Sequence, residues 1–408
     1  MAEKAEKTKK LSTEPYKGVR DFYPADMAIQ NFIFDTWKKT AESFGYEEYG
    51  ASVLEPAELF RNKTSEEIVN QQTYTFTDRG DREVTLRPEI TPSLARMVAA
   101  RRRELIFPLR WYSIPNLYRY EQPQRGRVRE FWQFNIDLFG VDSIEADIEV
   151  ISLAYQAMKD FGAKDMDFEI LLNSRALLEK IFEGKLKDTA DLSKAIRILD
   201  RREKMKPSEF DAAMEEITDS PVDLSISPNE EIDKILASLK NLGITNVRFD
   251  PTLARGFDYY TGIVFEIYDT NPENRRALFG GGRYDDLISL FGGDKIPAVG
   301  FGMGDVGIRN FLETRGLLPK AKAPADYYVC VMSREESAFA EKIANDLRKN
   351  PSSGGSRVAV DFTYKKIGDQ IKSADKRGIQ NVIVIGQEEA KSGKIKVKDL
   401  KTGEERAL

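Results

Sequence analysis

The chain has 408 residues, of which 41% are apolar and 32% charged, an ordinary composition for a globular protein with a sizeable core. Its length fits about two to four domains. The 62 basic and 67 acidic residues give a net charge of −5, which excludes a globally basic nucleic-acid coat but permits a local basic groove.

Histidine is absent from the sequence, and Cys330 is its single cysteine. The absence of histidine excludes imidazole acid–base catalysis, nucleophile systems that depend on histidine, and histidine-ligated zinc sites. One cysteine excludes an intrachain disulfide and fits a reducing compartment. Any chemistry must therefore use arginine, lysine, carboxylates, tyrosine, hydroxyls, backbone dipoles or a metal bound through oxygen.

The first residues predict a solvated tail. Met1 to Lys10 contains four lysines and no apolar segment of the kind that a secretory signal requires, so we expect a disordered tail over residues 1–15. Contact of this tail with RNA is left open. No apolar run approaches the roughly 18–20 residues that span a bilayer, which together with the single cysteine favours a cytoplasmic protein.

The next part of the chain predicts helices and strands in alternation. Pro24 begins a helix in which apolar residues from Ile29 to Phe44 recur three or four positions apart, and Gly45 ends it. Tyr46 to Leu54 predicts a strand. Pro88 predicts the start of a second helix that runs through Met97.

Two aromatic-rich runs then predict antiparallel strands. They span Leu109 to Tyr120 and Phe131 to Phe139 and are joined by a polar loop. A helix follows near residues 145–160. Residues 170–245 are charged and helix-rich, with breaks at Pro221 and Pro228, and predict a helical insertion.

The last part of the chain predicts more strands and a second domain. Strand signals return at Val247–Phe249, Ile263–Ile267 and Ala298–Phe301. Residues 319–324 predict a linker. Residues 325–408 alternate strands with helices, which is typical of a small parallel or mixed α/β domain.

The polar loop of the aromatic-rich pair contains a cluster of arginines. Arg119, Arg125, Arg127 and Arg129 fall within eleven residues. Arginine suits bidentate phosphate contacts, and clustered arginines repel one another unless an anion binds. Phosphate binding is therefore one interpretation, and an exposed charged hairpin is the other. The neighbouring Phe131 could stack on a base.

Three further stretches carry candidate site residues. Glu89 is either a helix cap or a ligand for a substrate ammonium or imidazole. The turn Arg255–Gly262 is either structural or, in a chain without histidine, presents an arginine as an electrostatic catalyst. Glycines at 280–282 and 300–304 permit close backbone approach to a ligand or tight sheet packing, and their spacing is not the GxGxxG fingerprint.

Taken in order, these stretches resemble the histidyl-tRNA synthetases, a family of class II aminoacyl-tRNA synthetases. The resemblance runs from about Lys17 to Glu405 and rests on Lys17–Asp21 (KGVRD), Arg119–Glu121 (RYE), Gly126–Gln133 (GRVREFWQ), Arg255–Tyr260 (RGFDYY) and Gly281–Asp285 (GGRYD). It implies an α+β catalytic domain, an antiparallel sheet with helices, over residues 16–169 and 246–318. It also implies a helical insertion domain (170–245) and a C-terminal α/β anticodon-binding domain (325–408).

The resemblance also implies an activity and a set of roles. Such an enzyme activates L-histidine with ATP to histidyl-adenylate and pyrophosphate, then transfers histidine to tRNA(His). Arg119 and Arg255 would be catalytic at the α-phosphate. The implied histidine-binding residues are Glu89, Thr91, Arg119, Gln133, Asp137, Arg255, Tyr259, Tyr260 and Tyr284. The implied ATP-binding residues are Arg119, Glu121, Arg127 and Phe131.

Partners follow from the same resemblance. Mg²⁺ would accompany ATP, with no other metal, and the enzyme would be a homodimer. The loop Gln122–Arg125 would meet the acceptor end of the tRNA. Two residues depart from the family pattern: Gly307 occupies the place of the motif 3 arginine that covers ATP, and Ser52 that of a proline near the dimer interface. Arg309 lies roughly 200° further round a helix, so we expect that it does not replace the missing arginine.

Two other functions compete with this one. A non-catalytic paralogue, a regulatory subunit of histidine biosynthesis that senses histidine without charging tRNA, is slightly favoured by Gly307. The Arg255 turn, the arginine-rich hairpin and the C-terminal domain favour the enzyme. A general RNA-binding module has only local charge in its support.

Overall fold

The computed structural model describes residues 11–61, 72–124, 126–202, 205–255, 259–274, 277–320, 322–349 and 355–408. Most of the predicted tail therefore lies outside the described residues. The chain divides into two compact units, Met1–Pro319 and Lys320–Leu408. The division falls at the start of the predicted linker, whose exact bounds remain a prediction.

The described part of the first unit contains both helices and strands. Its helices are α1 (Pro24–Ser43), α2 (Glu58–Arg61), α3 (Thr91–Arg101), α4 (Ile144–Asp160), α5 (Arg175–Phe182), α6 (Leu192–Asp200), α7 (Pro207–Ile217), α8 (Glu230–Asn241) and α9 (Asp305–Thr314). Its strands are β1 (Glu47–Glu48), β2 (Leu54–Pro56), β3 (Tyr74–Thr77), β4 (Glu83–Leu86), β5 (Leu109–Ser113), β6 (Asn116–Tyr118), β7 (Glu130–Phe139), β8 (Phe168–Ser174), β9 (Val247–Phe249), β10 (Ile263–Asp269), β11 (Ala277–Arg283) and β12 (Ala298–Gly304).

A large sheet organises the first unit. It runs in the order β1-β5-β7-β12-β11-β10-β8-β9, with β6 paired to β7. The pairs from β5 to β8 are antiparallel, and parallel pairs lie at the two ends. The main hydrophobic core, to which α1, α4, α8 and α9 contribute, includes Phe134 and Ile136 of β7. Since side chains alternate along a strand, Gln133, Asn135 and Asp137 lie on the opposite face. The predicted α+β class, an antiparallel sheet with helices, is confirmed.

Two predicted elements of the first unit were wrong in detail. The strand expected over Tyr46–Leu54 is instead split: β1 joins the large sheet, and β2 joins the small sheet β2-β4-β3. The helix expected from Pro88 begins at Thr91, with Pro92 in its first turn. The backbone of Arg87 explains why the helix starts later than predicted. Its N–H donates to the Val53 carbonyl and its carbonyl accepts from the Tyr118 N–H, so this backbone is hydrogen-bonded to neighbouring segments instead of to a helix.

The predicted helical insertion also needs correction at both ends. Residues 170–174 belong to β8, whose buried apolar residues fit a strand or a helix equally well in a sequence. At the other end, α8 contributes Ile232 and Ile235 to the main core. Between them, α5, α6 and α7 pack around a separate hydrophobic cluster, which makes this part the distinct helical module.

The second unit is a mixed α/β fold, as its strand and helix rhythm predicts. It contains β13 (Tyr327–Val331), α10 (Ser337–Lys349), β14 (Val358–Asp361), α11 (Ile367–Lys376), β15 (Asn381–Ile385), α12 (Gln387–Ser392), β16 (Lys396–Asp399) and β17 (Glu405–Ala407). The sheet order is β14-β13-β15-β16-β17, parallel among the first three strands and antiparallel beyond. Among the described helices of the whole chain, none has the length and apolar character needed to cross a bilayer.

Candidate active site

Glycines form the floor of a cleft on the face of the large sheet opposite the main core. Gly280 and Gly282 of β11 pair with Gly302 and Gly300 of β12. A Cβ atom added at any of the four would lie 2.2–2.9 Å from a polar or aromatic side chain that crosses the floor. These neighbours are Arg255 over Gly280, Tyr260 over Gly282, Asp137 over Gly300 and Gln133 over Gly302. The glycines therefore make room for candidate site residues, and the sequence had not identified β11 as a strand.

The structure brings the predicted histidine-binding residues together. All nine line this one cleft: Glu89, Thr91, Arg119, Gln133, Asp137, Arg255, Tyr259, Tyr260 and Tyr284. Asn135, which the sequence analysis did not single out, lines it as well. Its signal in the sequence was the alternation Gln133, Asn135, Asp137 along a strand whose intervening residues are apolar.

A buried carboxylate lies at one end of the cleft. The Tyr284 hydroxyl donates a hydrogen bond to Oδ1 of Asp137, and Oδ2 has no hydrogen-bond partner within the described residues. Burial raises the pKa of Asp137 from 3.8 to about 7, and the hydrogen bond from Tyr284 acts in the opposite direction. The environment of Asp137 thus disfavours the charged form of its carboxyl group.

Three tyrosines, Tyr259, Tyr260 and Tyr284, form a tyrosine wall beside this carboxylate through tilted and edge-on ring contacts. The ring centroids of Tyr259 and Tyr260 are 4.8 Å apart, and those of Tyr259 and Tyr284 are 5.6 Å apart. Burial raises the pKa of Tyr259 and Tyr260. Their hydroxyls are therefore neutral at physiological pH and can donate as well as accept hydrogen bonds. Glu89 is a second buried carboxylate of the cleft.

Two arginines supply positive charge. Nη1 of Arg255 donates to Oε1 of Glu266 at 2.9 Å, and its guanidinium carbon lies 5.5 Å from the Tyr260 ring centroid. Nε of Arg119 donates to the Pro88 carbonyl at 2.9 Å. Glu266 was not predicted as a site residue, although a carboxylate inside the apolar strand Ile263–Ile267 is an unusual feature of the sequence. Residues 256–258 of the predicted turn lie outside the described residues.

The predicted ATP-binding residues adjoin the cleft through Arg119. Its guanidinium carbon lies 5.3 Å from the Phe131 ring centroid, a distance typical of a cation–π contact. Arg127 forms an ion pair with Glu121 at 3.4 Å. Only Arg119 of the four lines the cleft itself. In the loop predicted to meet tRNA, Arg125 lies outside the described residues.

The motif 3 position has a distinct environment. A Cβ atom at Gly307 would lie 3.3 Å from the Leu278 carbonyl oxygen, so this side of α9 packs closely on β11. Arg309 forms an ion pair with Asp26 of α1 at 2.7 Å. It therefore points towards α1, in keeping with the expectation that it does not replace the missing arginine.

A buried aspartate anchors the start of α9. Asp305 accepts hydrogen bonds from Arg20 at 2.8 Å, from Gln30 at 3.0 Å and from the backbone N–H of Trp132 at 3.0 Å. These contacts join the segment around Arg20 to β7. This junction was not predicted from the sequence, because Asp305 is more than 170 positions from each of its three partners.

Comparisons with known proteins identify relatives over nearly the whole chain. The family model for histidyl-tRNA synthetase matches residues 18–224 and 187–304, and that for an anticodon binding domain matches residues 326–408. The chain is 41% identical to the histidine–tRNA ligase of Leptospira biflexa, covering 97% of this chain and 94% of the relative. It is 39% identical to that of Thermoplasma volcanium, covering 97% and 96%.

Solved structures show the same architecture. Apo histidyl-tRNA synthetase from S. aureus matches with a TM-score of 0.74 at 26% identity, covering 98% of this chain and 97% of that one. A protein from Bacillus halodurans described as an ATP phosphoribosyltransferase regulatory subunit/histidyl-tRNA synthetase matches with a TM-score of 0.73 at 24% identity, covering 92% and 99%. The second likeness concerns the fold alone.

Proposed function

This chain belongs to the histidyl-tRNA synthetase family, and from that membership we propose how its cleft carries out the charging of tRNA. The enzyme is a histidine–tRNA ligase. It joins L-histidine and ATP into histidyl-adenylate with release of pyrophosphate, then transfers histidine to tRNA(His). The observation that carries the assignment of the cleft is that nine residues from distant parts of the chain converge on its glycine floor.

We propose that the two buried carboxylates, Asp137 and Glu89, bind the imidazole ring and the α-ammonium group of histidine. Oδ2 of Asp137 accepts a ring N–H, since it is buried and has no partner among the described residues. Glu89 supplies the second carboxylate, and Thr91 and Gln133 complete the polar lining. The tyrosine wall, with Tyr259, Tyr260 and Tyr284, adds neutral donors and aromatic surface.

Adenylate formation then depends on positive charge at the α-phosphate. A carboxylate oxygen of histidine bonds to the α-phosphorus, and the bond from that phosphorus to the bridging oxygen breaks, so that pyrophosphate leaves. Arg119 and Arg255 are proposed to stabilise the charge that develops there, which preorganised cations do effectively in a partly desolvated site. Phe131 stacks on the adenine, Glu121 holds its polar edge, and Arg127 meets the distal phosphates.

Mg²⁺ is proposed to arrive with ATP. Mg²⁺ commonly binds through substrate phosphates with only one or two protein carboxylates, so it needs no dedicated protein cage. Within the described residues, no cluster of three or more potential metal-ligating side chains is present, so a dedicated cage is not found in that part of the chain. The ion supplies charge neutralisation at the phosphates, alongside the arginines.

The remaining partners are proposed from the family. The second unit binds the anticodon, and the loop Gln122–Arg125 meets the acceptor end of tRNA(His). The enzyme is proposed to be a cytoplasmic homodimer. Ser52 replaces the family's interface proline, and in this chain its hydroxyl donates to the Leu54 carbonyl at 2.8 Å.

ATP–pyrophosphate exchange with a panel of amino acids tests the proposal. Exchange that depends on histidine alone is the expected result. The regulatory alternative, which Gly307 favours, predicts histidine binding without exchange. That outcome, with folded protein and saturating ATP, would contradict the enzymatic assignment.

A further inference from the structure

Glu266 of β10 lies directly behind the cleft arginine. Nη1 of Arg255 donates to one carboxylate oxygen of Glu266 at 2.9 Å. The Tyr268 hydroxyl, two residues along the same strand, donates to the other oxygen at 2.8 Å. Arg255 lines the cleft, whereas Glu266 and Tyr268 do not. The three side chains therefore form a connected row that ends at the cleft.

Arg255 needs side-chain support to hold its guanidinium in place. It lies between β9 and β10, outside any helix or strand, so regular backbone structure does not fix it. Glu266, in contrast, lies within a central strand and is paired with Gly280 in the ladder. The guanidinium lies over that same glycine, where an added Cβ atom would be 2.2 Å from Nη1. The strand register of Glu266 thus determines where the guanidinium lies.

Tyr268 controls the kind of contact that Glu266 makes. Arginine and a carboxylate often pair through two parallel hydrogen bonds, which would direct two guanidinium N–H groups away from the cleft. Here Nη1 of Arg255 donates to the first oxygen of Glu266, and the Tyr268 hydroxyl donates to the second. Nε of Arg255 is buried without a hydrogen-bond partner among the described residues. The guanidinium of Arg255 therefore keeps a donor that no protein group among the described residues satisfies.

We propose that Glu266 is a positioning residue for Arg255, and that Tyr268 limits Glu266 to a single-oxygen contact so that other guanidinium N–H groups face the reacting phosphate. The inference rests on the proposed function, because it requires Arg255 at the α-phosphate. Glu266 and Tyr268 act through Arg255 and do not touch the substrates.

Glu266→Gln and Tyr268→Phe test the proposal in steady-state ATP–pyrophosphate exchange. We expect Glu266→Gln to lower kcat about tenfold or more, because a displaced catalytic group is costly even at small distances. Tyr268→Phe should lower kcat about threefold or more, because Glu266 loses the hydroxyl hydrogen bond that orients its second oxygen. In both variants, KM for histidine and ATP should stay within about twofold, since uniform binding is retained.

Glu169→Gln is the matched control. Glu169 lies on the neighbouring strand β8, directly opposite Tyr268. It forms an ion pair with Arg248, with an N–O distance of 3.1 Å, and neither residue lines the cleft. Its loss should leave kcat unchanged. Wild-type kcat in Glu266→Gln would overturn the proposal. If that variant fails to fold, Tyr268→Phe, which removes only a hydroxyl, decides the question by the same criterion.

A double-mutant cycle separates positioning from a general structural role. In the Arg255→Ala background, adding Glu266→Gln should have no further effect on kcat, because Glu266 acts through the side chain already removed. A further loss equal to that in the wild-type background would overturn the proposal. Near-wild-type exchange by Arg255→Ala alone would refute the proposed role of Arg255 and, with it, the positioning role of Glu266. If Arg255→Ala loses activity as expected but Glu266→Gln keeps full activity, only the positioning role of Glu266 is refuted.

Discussion

The Tyr284 hydroxyl donates a hydrogen bond to Oδ1 of Asp137, although the two residues are 147 positions apart in the chain. The contact orients the Asp137 carboxyl so that its second oxygen, Oδ2, stays buried without a partner among the described residues. It therefore links the strand β7 to the turn after β11 at the place where the imidazole of histidine is proposed to bind.

Asp137→Asn should weaken histidine binding with little effect on ATP. A charge-assisted hydrogen bond becomes a neutral one of roughly half the strength. The chain has no histidine of its own, so NMR of labelled histidine reports only the ligand. The bound imidazole should titrate at a higher pH than the free ring, as expected beside a carboxylate. An unchanged affinity in the variant, or an unshifted or lowered bound pKa, would remove Asp137 from the pocket.

The same substitution should change how the stability of the free enzyme depends on pH. Burial raises the pKa of Asp137 from 3.8 to about 7, so between these values the folded state holds a proton that the unfolded chain releases. This group is therefore most stabilising at low pH, and its contribution is lost as pH rises through that window. We expect the free energy of unfolding of the wild type, relative to Asp137→Asn, to fall from pH 5 to about pH 8. Parallel denaturant curves at each pH measure it, and a constant difference would contradict the expectation.

Arg255→Ala should abolish activation while leaving the fold and histidine binding largely intact. No histidine is available for the step, and loss of one preorganised electrostatic contact costs about 2.7–4 kcal/mol of barrier, or roughly 10²–10³ in kcat. Pyrophosphate exchange measures this, with calorimetry for histidine binding. Arg248→Ala is the control, since Arg248 forms exposed ion pairs outside the cleft. Exchange near the wild-type rate in Arg255→Ala would refute the assignment.

Gly280→Ala adds only one methyl group, but it should abolish activity. The added Cβ would lie 2.2 Å from Nη1 of Arg255 and 2.3 Å from the Phe265 carbonyl oxygen, so both the arginine and the strand must shift. We expect lower thermal stability and loss of exchange. Gly50→Ala is the control, because nothing lies within 4 Å of a Cβ there. Equal behaviour of the two variants would show that the floor of the cleft is not tightly packed.

A protein that ends at about Leu318 should form histidyl-adenylate but charge tRNA poorly. The chain divides into compact units at Pro319, and the cleft lies entirely within the first. Pyrophosphate exchange and aminoacylation are measured on the same preparation. Unchanged charging efficiency would show that the second unit does not contribute to tRNA binding.

Elements with strong periodicity were predictable from the sequence, and elements without it were not. The helix that begins at Pro24 and the strands around Leu109, Phe131 and Tyr327 follow from apolar spacing alone. By contrast, β11 contains three consecutive glycines, which carry no strand propensity, and only its neighbours on both sides make it a strand. Residues 170–174 were misassigned because a short apolar run suits a buried strand and a helix equally.

The sequence by itself determined which chemistry is available and in what order its parts occur. With no histidine and an arginine-rich hairpin, positive charge and carboxylates had to carry the reaction. Only the tertiary structure decided which of these groups meet. In the folded chain Glu266 is paired with Gly280, and the Arg255 guanidinium lies over that glycine. Strand register and close packing depend on contacts between segments far apart in the chain, which local sequence preference cannot specify.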